Sequence, residues 1–129
     1  MKFEKIVFLM ITISICTVLI TTQLQTQDNI SALVNNSGPY IGTAIPHDYG
    51  FDGSGIIISV IDTGVDFNHP DLLGLGLDGK IIGGYDFVDN DETPQDSNGH
   101  GTQVAGIIAA NGNLTGIAPN SKILAYRVS

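Results

Sequence analysis

Two short stretches hold the side chains best suited to chemistry. In the first, Val60-Ile61-Asp62-Thr63-Gly64-Val65-Asp66, an aspartate closes an apolar, β-branched run and stands two residues before a glycine. In the second, Asp96-Ser97-Asn98-Gly99-His100-Gly101-Thr102-Gln103-Val104-Ala105-Gly106, a histidine stands between two glycines where a helix should begin. Imidazole is the side chain best matched to proton transfer near neutral pH. The flanking glycines remove bulk beside the ring and leave space for a substrate or a partner side chain. A helix N-terminus disfavours imidazolium, whereas a nearby carboxylate stabilises the imidazolium formed during proton transfer. Asp62 is the candidate for that carboxylate. Each residue alone also has plainer readings. Asp62 could cap a loop or serve a metal or nucleotide site; His100 could be a cap or a packing residue.

Placing these side chains requires particular elements. The run Ile-Ile-Ile-Ser-Val-Ile over residues 56–61 predicts a strand buried on both faces of a parallel sheet, with Asp62 at its carboxyl end. Ligands and catalysis gather at the carboxyl ends of parallel strands. Further strands are predicted over residues 80–82, 85–88 and 122–128, and residues 89–99 form an acidic loop. A helix is predicted over residues 100–110, with Val104, Ile107 and Ile108 on its apolar side and Gly101, Ala105, Gly106 and Ala109 allowing close packing. Asn111-Gly112 stops it. The alternation of strand and helix implies an α/β fold with a crossover connection. Residues 40–129 read as the compact part, residues 23–39 as a polar linker, and residues 1–22 as a leader.

Taken together, the two stretches resemble the aspartate and histidine signatures of the subtilisin-like (subtilase, peptidase S8) serine proteases. The resemblance extends to His69-Pro70-Asp71-Leu72, Gly83-Gly84-Tyr85-Asp86-Phe87-Val88, Gly116-Ile117-Ala118-Pro119 and Ile123-Leu124-Ala125-Tyr126-Arg127-Val128, and so covers residues 41–128. It implies a serine endopeptidase acting on polypeptides through an Asp/His/Ser charge relay. In that scheme Asp62 orients and supports His100, and His100 activates a serine and then protonates the leaving amine. Asp62 should then lie about 2.6–3.2 Å from a His100 ring nitrogen. The Gly-Thr-Ser-type stretch that would carry the nucleophile has no match, nor does an oxyanion-binding asparagine. Ser54, Ser59, Ser97 and Ser129 stand in the wrong contexts. The resemblance therefore implies the N-terminal part of a subtilisin-like parallel-sheet domain, incomplete, lacking its serine and inactive alone. Gln103 stands where the family usually has a second histidine. Asp71 matches a calcium ligand of some members, but the loop over residues 110–116 is short, so Asp71 is read as structural. No cofactor or metal site is assigned; a structural calcium in the full-length protein stays open.

Composition limits the alternatives. The 129 residues carry a net charge of −8 with only five basic residues, too few for a phosphate-binding face, so nucleic acid is excluded as a partner. The acids over residues 48–96 are read as solvated surface ahead of calcium ligands. The single cysteine, Cys16, excludes a disulfide. It lies in an apolar run over residues 6–20 behind Lys2 and Lys5, which fits a secretory signal and is short for a membrane span. The chain is thus expected outside the cell, with membrane attachment only if that segment stays uncleaved. Asn29, Asn35 and Asn113 begin N-glycosylation triplets. Two other classes of function remain in view: a non-catalytic remnant or interaction module, and a metal-binding module built on Asp62, His69 and His100.

Overall fold

The computed structural model describes residues 15–17, 19, 38–39, 41–76 and 79–129. The chain divides into two units, Met1–Leu33 and Val34–Ser129. In the first, residues 15–17 and 19 are helical and the Cys16 thiol is free and exposed. The expected leader over residues 1–22, the linker over 23–39 and the triplets at Asn29 and Asn35 lie almost wholly outside the described residues. Among the described residues no helix is long and apolar enough to cross a membrane.

The second unit is built on a parallel sheet. Strands β1 (Ile57–Asp62), β2 (Ile81–Asp86) and β3 (Lys122–Arg127) lie in the order β1-β3-β2, both pairings parallel. Parallel neighbours need a crossover, and helix α2 (His100–Ala109) supplies it between β2 and β3. A short helix α1 (Ala44–Asp48), not legible in the sequence, precedes β1. It is tied down where His47 Nε2 donates to the carbonyl of Ile117 at 2.8 Å.

Helix α2 packs on one face of β1 and β3. Its buried residues are Gly101, Ala105, Gly106 and Ala109, while Val104 and Ile108 sit beside them, partly buried against the core. Ala105 and Ala109 thus form the contact with the sheet core, and the larger residues flank it. Val60, Val65, Leu72, Ile81, Ala105, Ala109, Ile123 and Ala125 make the core.

Three expectations need correction. Strand β1 is not buried on both faces: Val60 is 4% exposed, but Ile57 and Ile61 are 56% and 67% exposed. In the sheet of the described residues it is an edge strand, and α2 covers only the face carrying Val60. The two strands expected over residues 80–82 and 85–88 are one, β2, running through Gly83 and Gly84 with an irregular register between Ile81 and Gly83. The glycines read as a break, yet a Cβ at Gly84 would collide with the backbone of Ala125, so glycine lets the strands approach. The acids are not all solvated: Asp86 is 1% exposed, and Asp71, read as structural, is 2% exposed.

Candidate active site

Asp62 is the last residue of β1 and His100 the first of α2. The strand end and the helix start meet because two glycines let them. Gly64 has φ +100°, and a Cβ there would stand 2.8 Å from the Pro94 carbonyl oxygen and 2.9 Å from the Asp96 nitrogen. A Cβ at Gly101 would press on the Gly64 carbonyl and stand 3.2 Å from Asp62 Cβ. The turn after β1, the acidic loop and the first turn of α2 are thus in close backbone contact.

Across this junction His100 Nδ1 lies 2.7 Å from Asp62 Oδ1. The same oxygen accepts the Thr63 N–H at 2.7 Å, which fixes the carboxylate. The His100 bond and the Thr63 N–H hold the Asp62 carboxyl below the usual carboxylate range, against the opposing effect of burial. It is therefore ionised at neutral pH and acts only as an acceptor. The proton of the shared bond then sits on Nδ1, and Nε2 of the neutral ring keeps a lone pair. The hydrogen bond to Asp62, followed by its charge, raises the His100 pKa above its ordinary value; desolvation opposes this and Asp96 adds a smaller upward push. His100 is largely exposed, at 64% of its side chain, whereas Asp62 is 19% exposed. An open ring backed by a shielded carboxylate can exchange protons with a substrate or nucleophile on its free side.

The remaining candidates fall elsewhere. Ser54 donates its hydroxyl to Asp52 at 2.6 Å, and Ser97 accepts from Arg127 at 3.3 Å. His69 Nδ1 accepts the N–H of Asp71 at 3.2 Å. Among the described residues no group of three or more His, Cys, Asp or Glu side chains could hold a metal ion, so Asp62, His69 and His100 do not form the metal module. Asp71 accepts the N–H groups of Asn113 at 2.7 Å and Leu114 at 3.3 Å. Its oxygens hold the loop after α2. Gln103 is exposed on α2.

One clamp was missed in the sequence. Arg127 is the Cα partner of Asp62 across β1 and β3. Its guanidinium donates to Asp86 at 2.8 Å and Asp89 at 2.5 Å, drawing the acidic loop onto the sheet end. Burial pushes the Asp86 carboxyl up, but the Asp89 N–H, the guanidinium and the Val88 N–H together hold it below its usual value. The sequence signal was faint: a lone arginine ending an apolar strand, with acids far from it along the chain.

A parallel α/β layer with an aspartate at one strand end, hydrogen-bonded to a histidine that opens a small-residue helix, defines a recognisable class. The sequence profile of the subtilase family (Peptidase S8) matches residues 53–129, and the chain belongs to that family. It is 45% identical over 114 residues to the minor extracellular protease Vpr of Bacillus subtilis, covering 79% of this chain and 13% of that protein. It is 58% identical over 81 residues to thermitase of Thermoactinomyces vulgaris, covering 60% of this chain and 27% of thermitase. Among solved structures, the Clostridium perfringens CspB protease superposes with a TM-score of 0.57 at 28% identity, covering 67% of this chain and 23% of that one. The chain therefore spans between about an eighth and a quarter of these relatives' lengths.

Proposed function

We propose that this chain supplies the aspartate and histidine of the charge relay of a secreted serine endopeptidase. The observation that carries the reading is the 2.7 Å bond from His100 Nδ1 to an ionised Asp62, which leaves Nε2 free. A serine hydroxyl brought to Nε2 by a segment outside these 129 residues completes the relay. Nε2 takes the hydroxyl proton as the oxygen attacks a peptide carbonyl, and Asp62 stabilises the imidazolium. Nε2–H then protonates the departing amine, and a water repeats the cycle on the acyl-enzyme. Residues 1–22 direct export in this reading, in keeping with the extracellular Vpr protease that the chain resembles.

The test is covalent labelling of the full-length protein with a fluorophosphonate probe, paired with casein hydrolysis. The unaltered protein should be labelled and should cleave casein. His100→Ala should abolish both, and Asp62→Asn should lower turnover by about 10⁴-fold by favouring the wrong tautomer. Hydrolysis that survives His100→Ala, or an unaltered protein that neither labels nor cleaves, rejects the proposal. The second result would favour a non-catalytic remnant.

A further inference from the structure

Helix α2 begins at a residue that cannot cap it. Its N-cap, Gly99, has no side chain, and its φ is +103°. An unaided helix leaves its first backbone N–H groups without partners. Here three side chains from outside the helix satisfy them: His100 N–H goes to Asn98 Oδ1 at 3.3 Å, Gly101 N–H to Thr63 Oγ1 at 3.0 Å, and Thr102 N–H to Asp96 Oδ2 at 2.9 Å. The helix that presents His100 is therefore capped in part by Thr63, the residue next to Asp62.

These caps converge on Asp96. Its Oδ1 accepts the N–H groups of Asn98 and Gly99 and the hydroxyl of Thr63, each at 2.9 Å. Its Oδ2 accepts both the N–H of Thr102 at 2.9 Å and the Thr102 hydroxyl at 2.5 Å. The Thr102 hydroxyl oxygen in turn accepts the Asp66 N–H at 2.9 Å, so the link closes back on the turn after β1. Five donors on one carboxylate are more than a solvated loop acid gathers, and they come from both segments that hold the Asp62–His100 pair. Burial pushes the Asp96 carboxyl up, but the Gly99 N–H, the Thr102 hydroxyl and the other donors hold it below its usual value. It therefore stays charged at the N-terminus of α2, where negative charge is favoured.

We propose that Asp96 is a positioning residue: through Thr63 and Thr102 its carboxylate locks the strand end carrying Asp62 to the helix start carrying His100. The proposal rests on the charge-relay reading of that pair and goes beyond it by adding the part that sets its spacing. Asp96 touches neither substrate nor reacting atoms. Replacing one of its oxygens by an amide nitrogen sets a donor against donors at a junction where every position is used.

The experiment compares Asp96→Asn, Thr63→Val and Thr63→Ser in the full-length protein, with rates referred to active sites counted by fluorophosphonate. The expectation for Asp96→Asn and Thr63→Val is a loss in kcat of about 10–100-fold, as for a lost hydrogen bond to a charged group, with KM little changed. Thr63→Ser keeps the hydroxyl and should restore most of the rate. A second readout is the His100 titration followed by NMR. The charges acting on His100 are Asp62 from β1 and Asp96 from the loop. Asp96→Asn removes the second charge outright and lowers the titration whatever its role, whereas Thr63→Val keeps both charges, so a shift to lower pH in Thr63→Val reads the loosened bond to Asp62. A purely structural role would lower the melting temperature yet leave the rate per active site in both variants and the His100 titration in Thr63→Val unchanged, and that result overturns the proposal. If Asp96→Asn does not fold, equal rates in Thr63→Val and Thr63→Ser overturn it. Should the unaltered protein prove not to be a protease, the His100 titration in Thr63→Val against Thr63→Ser still decides the role of the Asp96–Thr63 link.

Discussion

Gly64→Ala tests the idea that backbone contact at the junction, and not only side-chain chemistry, builds the site. Two separate costs follow from the structure. Gly64 sits at φ +100°, where an L side chain is strained by roughly 1–3 kcal/mol. The added methyl would also stand 2.8 Å from the Pro94 carbonyl oxygen and 2.9 Å from both Asp96 N and Gln95 C. All three are backbone atoms, so the methyl must move the loop, at an overpacking cost of roughly 1–3 kcal/mol. The total is about 2–6 kcal/mol. Gly74→Ala is the control: its φ is +86°, but a Cβ there meets nothing within 4 Å, so only the strain remains. The gain of about 0.4–1 kcal/mol from a stiffer unfolded chain is common to both and cancels in their difference. Gly106→Ala is the opposite control. It lies inside α2 with open space for a methyl, and should stabilise by about 0.5–1 kcal/mol. Denaturant titrations in a His100→Ala background, where self-digestion is silent, give the three values. If Gly64→Ala is no more destabilising than Gly74→Ala, the close approach of turn and loop is not what the glycine serves, and the reasoning fails.

The remaining predictions concern the pair and the core. Because His100 must be neutral to act as a base and Asp62 raises its pKa, the acid limb of the activity profile should have its midpoint above 6.5, the ordinary histidine value. In Asp62→Asn that midpoint should fall, since the carboxylate that favours imidazolium is gone; an unmoved or raised midpoint in the residual activity would contradict the assignment. The stability sign also follows. What the raised His100 contributes to folding is present below pH 6.5 and lost as pH rises through its folded pKa, and what Asp62 contributes is lost as pH falls below 3.8 through its lowered value. Ile123 is fully buried on the central strand β3, so Ile123→Ala should cost about 2–5 kcal/mol and Ile123→Val about 0.5–1.5, read by denaturant titration.

The sequence carried some of this and withheld the rest for physical reasons. Asp62 and His100 were legible because each is marked by its own neighbours: an apolar run that ends at the acid, and glycines around the imidazole. The crossover helix was legible for the same reason, since its small residues recur with helical spacing. The burial of β1 was misread because an apolar strand shows that it prefers to be covered, not that covering exists. Ile57 and Ile61 are as apolar as Val60, yet α2 lies over only one face. Strand β2 was split in two because glycine ordinarily weakens a strand, and only the partner Ala125 shows why it is needed here.

The function of the acids was the least legible part. Asp86 and Asp96 look alike in a list of acidic residues and read as solvated surface, whereas Asp71 reads as structural from the resemblance alone. Asp86 and Asp96 also take nearby N–H groups, but the donors that tie Asp71, Asp86 and Asp96 to other elements, Asn113, Arg127 and Thr63, are 42, 41 and 33 positions away. No local pattern encodes such pairs; they exist only once the parallel crossover has brought strand ends and helix start together. That order of events carries a physical consequence. The Asp62–His100 pair is marked by two local signatures, but its 2.7 Å spacing is specified by contacts that form only in the folded sheet. A change at Thr63 or Asp96, neighbours of the pair within the same two stretches, can therefore leave both Asp62 and His100 in place and still remove the geometry on which their proposed chemistry depends.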